Sequence, residues 1–94
     1  MDARRRARRP KSIHDPAYQR LCEALKAIRE AGGLTQRELA EAMDEARSFV
    51  WKSESGERRL DAVELCRWCL ACGADAHAEF ARIVKSVRTP KRRV

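Results

Sequence analysis

Residues 35–56 read TQRELAEAMDEARSFVWKSESG, and the order of capping, apolar and turn residues in this stretch decides how the rest of the chain is organised. Thr35 stands where a helix N-cap is wanted. Glu38, three residues on, has the reach to return a hydrogen bond to the Thr35 amide, the reciprocal arrangement of a capping box. Leu39, Ala40 and Met43 supply the apolar face of the helix so started. Asp44-Glu45 interrupts the pattern, and a second helix over about 46–55 is stopped by Gly56. Ala40 is small where the two helices must cross closely, and Val50 is the expected anchor of the second. Stepping about 100° per residue from Val50 places Ala46, Ser53 and Glu54 within about 60° of the inward direction. Ser48, Lys52 and Ser55 then point away, with Arg47 at the helix N-terminus.

Two short helices joined by a tight turn, the second polar on its outer side, make a helix-turn-helix arrangement. Its outward row is what the major groove of duplex DNA would meet. Three further helices are expected around this pair. The first opens at Asp15-Pro16, an N-cap acid with proline at the first helical position, carries Tyr18, Leu21, Leu25 and Ile28 on one face, and ends at Gly32-Gly33. The fourth repeats the capping logic with Asp61 and Glu64 and runs Leu65, Trp68, Cys69 and Cys72 into Gly73. Asp75 caps the fifth, whose expected buried side is Phe80, Ile83, Val84 and Val87, with Pro90 as its stop. No alternating strand pattern and no internal repeat are present, so the fold class is all-α.

The chain of 94 residues is sized for one small domain, expected over 15–87. Its formal net charge of +7 is unevenly distributed. Residues 1–14 carry Arg4, Arg5, Arg6, Arg8, Arg9 and Lys11 against Asp2, and residues 88–94 carry Arg88, Lys91, Arg92 and Arg93 with no acid. The body between them is slightly acidic. A polyanionic partner is therefore implied by two basic tails, and any specific reading must come from a few placed residues in the body. Aromatic residues are only 5% of the chain, which leaves little material for a deep catalytic cleft.

The ordered whole resembles the lambda-repressor-like, or XRE, helix-turn-helix family of bacterial and phage DNA-binding proteins. The resemblance spans roughly 18–85 and is strongest in GLTQRELAEAM, SFVWKSESGERRLD and the stretch from Leu65 to Asp75. It implies a five-helix domain that binds double-stranded DNA without a cofactor, as a homodimer at a palindromic operator, and regulates transcription, commonly as a repressor. By position, Gln36 matches the family's phosphate- and base-contacting glutamine. Arg47, Ser48 and Lys52 match its base-reading positions, and Arg58 and Arg59 its backbone- or flanking-base-contacting loop. An alternative from another class is an antitoxin that uses the same core but also sequesters a toxin protein.

Two departures from the family pattern stand out. Asp44 holds the turn position usually given to glycine, a left-handed conformation that aspartate tolerates better than most residues. Ser53 sits at a half-buried position where the family has an aliphatic or aromatic residue, while Trp51 stands where it has something small. Trp51 either reaches the sugar-phosphate wall or a thymine methyl, or covers the groove left by Ser53. The arginines of the N-terminal arm are expected to be drawn to phosphate, either along a minor groove or as a solubilising tail.

Cys22, Cys66, Cys69 and Cys72 stand without a secretory apolar segment, which points to reduced thiols and a cytoplasmic chain, with no run long enough to span a membrane. The spacing Cys66-x2-Cys69-x2-Cys72 invites a metal site with Cys22 or His77 as fourth ligand. Against it, no Gly or Pro turn separates the three, and Cys69 and Cys72 fit an apolar helix row. No metal is expected. His14 and His77 stand in no nucleophile or carboxylate constellation, so no enzymatic activity is expected.

Overall fold

Four of the five described helices begin with a side chain that accepts the backbone donors a helix start leaves unpaired. The computed structural model describes residues 15–88, which form α1 (Pro16–Ala31), α2 (Gln36–Ala42), α3 (Arg47–Ser55), α4 (Ala62–Ala71) and α5 (Ala76–Arg88), with no strand among them. Asp15 accepts from the Ala17 amide and Pro16 opens α1. Both expected capping boxes are formed, Thr35 with Glu38 on α2 and Asp61 with Glu64 on α4. Asp75 accepts from the amides of His77 and Ala78 at the start of α5. The basic arms, with Arg4, Arg5, Arg6, Arg8, Arg9 and His14, lie outside the described residues, as does Pro90.

The core is built where α1, α2, α3 and α4 meet. Leu25, Leu39, Val50 and Trp68 are fully enclosed there, joined by Ile28, Ala40, Phe49, Cys69 and Cys72. Trp68 enters this core with its polar atom satisfied, since its indole Nε1 donates to the Leu25 carbonyl at 3.1 Å. The ends of α1 and α4 touch so closely that a Cβ on Gly32 would stand 2.6 Å from the Cys72 carbonyl oxygen, so no other residue fits at that crossing. Asp44 takes the left-handed conformation its place in the turn requires, with φ of 58°.

Three expectations are corrected. Ala46 does not face inward: it precedes the helix as its N-cap, in an extended conformation, so helical stepping does not apply to it and it is exposed. Of the row expected to be buried on α5, only Ile83 is covered, by α1; Phe80, Val84 and Val87 are exposed. Phe80 borders a shallow hollow against Leu65, Cys66 and Cys69 of α4, which leaves it half in solvent. Trp51 does not cover a gap beside Ser53, because Ser53 is itself fully enclosed and Trp51 stands in solvent.

Candidate nucleic-acid interface

The helix α3 is held by its inner face and by the flank that carries Phe49, which leaves the opposite flank and the outer side for a partner. Val50 is sealed in the core, and Phe49, on the flank, packs 6.3 Å from the Trp68 ring. Phe49 was not assigned a role from the sequence. It takes over the apolar duty expected of Ser53, one turn away on the same side of the helix, and Ser53 is left small enough to be buried. The Ser53 hydroxyl satisfies itself by donating to the Phe49 carbonyl at 2.7 Å.

Glu54 ties α3 to the two helices before it. Its carboxylate accepts from Arg29 of α1 at 2.6 Å and 3.1 Å and from the Gln36 amide of α2 at 3.0 Å. Arg29 also donates to the Leu34 carbonyl at 2.9 Å, so one guanidinium fixes the loop between α1 and α2 as well. The Glu54 hydrogen bonds hold the Arg29 guanidinium above its usual basicity, outweighing its burial. An ionised carboxylate can only accept, so it is the Gln36 nitrogen that faces Glu54, leaving its carbonyl oxygen for other partners. Sequence reasoning placed Gln36 correctly at the start of α2 and missed Arg29. The missed signal is its register: Tyr18, Cys22, Leu25 and Arg29 follow helical spacing, so Arg29 sits on a buried row and needs an acid.

Of the residues singled out from the sequence, Arg47, Ser48 and Lys52 are brought together on the outer side of α3, with Gln36 beside them at the start of α2. A broad concavity is lined by Arg29, Thr35, Gln36, Arg37 and Arg47. Among the described residues, neither Arg47 nor Lys52 is paired with a carboxylate, in contrast to Arg29, Arg58 and Arg82. The Lys52 ammonium lies 5.8 Å from the Trp51 ring centre.

Arg58 and Arg59 are placed differently, in the loop after α3, each against an aromatic ring. The Arg58 guanidinium is 4.7 Å from the Phe49 ring and makes two hydrogen bonds to Glu64, 3.1 Å and 3.0 Å long. Arg59 lies 4.3 Å from the Tyr18 ring, whose hydroxyl accepts from the Leu60 amide. The Arg58 partnership lowers the Glu64 carboxyl below its usual range and raises Arg58. Burial raises the Tyr18 phenol. The loop is thus pinned to α1, α3 and α4 by its own two arginines.

A helix-turn-helix domain model matches residues 20–83. The fold and much of the sequence are also similar to an XRE-family like protein from Pseudomonas syringae pv. tomato str. DC3000, with 40% identity and a TM-score of 0.70 over 83% of this chain and 95% of that one. The chain belongs to the XRE-type helix-turn-helix family. No curated protein matches it. As an XRE-type domain it is a DNA-binding fold, with α2 and α3 as the two helices of its motif. No described helix is long and apolar enough to cross a membrane.

The cysteines of this XRE-type domain are distributed between core and surface. Cys22, Cys69 and Cys72 are buried and Cys66 is exposed. Burial pushes the Cys72 thiol up to about 11 and raises Cys22 and Cys69 as well, which disfavours the thiolate a metal would need. Among the described residues no three of His, Cys, Asp or Glu are grouped to hold a metal ion. His77 is exposed at the start of α5.

Proposed function

We propose that this protein is a transcriptional repressor that binds a palindromic operator as a homodimer. The observation that carries the reading is the pair of cations on the recognition helix. Arg47 and Lys52 stand on its outer surface without an acid partner among the described residues, while Glu54 of the same helix is neutralised by Arg29 and Arg58 of the following loop is paired with Glu64. Arg47 and Lys52 meet base edges, Ser48 lies between them, and Gln36 contacts phosphate at the start of α2. Arg58 and Arg59 approach the backbone from the loop after α3, and the arm residues Arg4, Arg5, Arg6, Arg8 and Arg9 add attraction to phosphate.

One recognition helix covers about four to five base pairs, too little to mark a genomic site, and two-fold pairing doubles the contact. The exposed Phe80, Val84 and Val87 of α5 offer the apolar surface for that pairing. The test is selection of bound sites from random duplex DNA at two salt concentrations. An inverted repeat with half-sites roughly one helical turn apart is expected. Arg47→Ala should relax the preference at one or two positions per half-site, whereas removal of residues 1–11 should weaken all sequences together and reduce the salt dependence. Selected sites without an inverted repeat would rule out the dimer. An Arg47→Ala variant that weakened every sequence equally would rule out α3 as the reader.

A further inference from the structure

The recognition helix carries two aromatic side chains, and the fold treats them in opposite ways. Phe49 and Trp51 lie about 100° to either side of the inward-facing Val50. Phe49 is enclosed between the Trp68 ring and the Arg58 guanidinium. Trp51 is 41% exposed, and it is the one large exposed hydrophobic on α1, α2 or α3; the others among the described residues lie on α4 and α5. An indole left in water costs free energy that every other large apolar side chain of the first three helices avoids.

Its place on the helix states what would cover it. Arg47 and Ser48 are four and three residues before Trp51, and Ser55 is four after, so Trp51 borders the outward row on the side of these three residues. Helical rotamers carry a long side chain back over the preceding turn, here the turn that bears Arg47 and Ser48. The Lys52 ammonium near the ring makes the surroundings of the indole cationic. A polyanion with an apolar group in its groove is the matching surface, and the apolar group of the major groove is the C5-methyl of thymine.

We infer that Trp51 reads sequence, packing its indole on a thymine methyl in each half-site. This rests on the DNA-binding role of α3 proposed above. A phosphate contact would leave the ring without an apolar partner, and a sugar contact would be the same at every sequence, which the test below separates from a methyl contact.

The test uses the full chain and the duplex recovered by site selection, with thymines replaced one at a time by uracil, which removes only the methyl. Wild-type protein should lose about fourfold in affinity at each contacted position, the value for one buried methyl group. Trp51→Ala should bind the thymine and uracil duplexes equally, and Trp51→Leu should retain part of the difference. Folding of each variant is checked by the emission of the buried Trp68, and the wild-type Trp51 emission should change on binding. A thymine-to-uracil penalty that persists in Trp51→Ala, or that is absent from wild type, would overturn the inference while leaving site selection intact. A uniform loss across all sequences in Trp51→Ala would overturn it in favour of a backbone contact. Failure to select any site would instead remove the DNA-reading role of α3, and this inference with it.

Discussion

Glu54 on α3 grips the Arg29 guanidinium of α1 through Nε at 2.6 Å and Nη2 at 3.1 Å, and the two side chains keep only 6% and 10% of their exposure. Charges so far from water are tolerable because each satisfies the other and the remaining donors reach Leu34 and the carboxylate. The pair ties α3 to α1, and the bond from Gln36 ties α2 to the same carboxylate.

Removing one partner leaves the other buried and uncompensated. Glu54→Ala should therefore destabilise by about 3–5 kcal/mol in urea unfolding. The double change Arg29→Met with Glu54→Leu should recover much of that loss, because it removes both charges together. Equal instability of single and double variants would show that packing, not the unpaired charge, governs the site.

Ser53 departs from the bulky residue of its family, and Phe49 one turn earlier explains how it is accommodated. Restoring the family pattern should therefore harm this protein. Ser53→Leu is expected to cost about 1–3 kcal/mol through overpacking, while Ser53→Ala, which loses only the bond to the Phe49 carbonyl, should cost under about 1 kcal/mol. Urea midpoints of the two variants decide this, and a stabilised Ser53→Leu would show unfilled space beside Phe49.

The Arg58–Glu64 pair gives an acid dependence with a defined sign. The Glu64 carboxyl is lowered in the folded protein, chiefly by the Arg58 hydrogen bonds and then by the Asp61 amide. Its contribution is complete above the ordinary carboxylate value of about 4.3 and is lost as pH falls from there through the depressed folded value. Glu64→Gln should therefore lose stability less steeply than wild type across that acid window. Parallel stability curves for the two proteins would contradict the pairing.

Thiol chemistry should separate Cys66 from the rest. A disulfide reagent at about pH 8 is expected to react quickly with one thiol of four, Cys66, and with Cys22, Cys69 and Cys72 only as the protein unfolds. Cys66→Ser should abolish the fast phase. A second fast thiol in wild type would mean that Cys22, Cys69 or Cys72 reaches solvent in the folded protein.

The sequence by itself determined where four of the five described helices begin, all but α3, whose start at Ala46 carries no side-chain cap. Caps are local: Asp15, Thr35 with Glu38, Asp61 with Glu64, and Asp75 each act within four residues, so they can be read without knowing the fold. The rows of Leu25 and Ile28, of Leu39 and Ala40, and of Trp68 and Cys69 are also legible, because helical period fixes which residues share a face. The family pattern then placed Gln36, Arg47, Ser48 and Lys52 on the two motif helices. Only the tertiary structure decided which flanks are covered. Phe49 and Trp51 are equivalent by periodicity, each about 100° from Val50, yet one is enclosed by Trp68 and Arg58, which come from later in the chain, and the other is not. Arg29 and Glu54 are 25 positions apart, and Phe80, Val84 and Val87 look like core until α5 meets a neighbour that covers only Ile83. Periodicity names the face of a helix, but burial depends on which other helix arrives there.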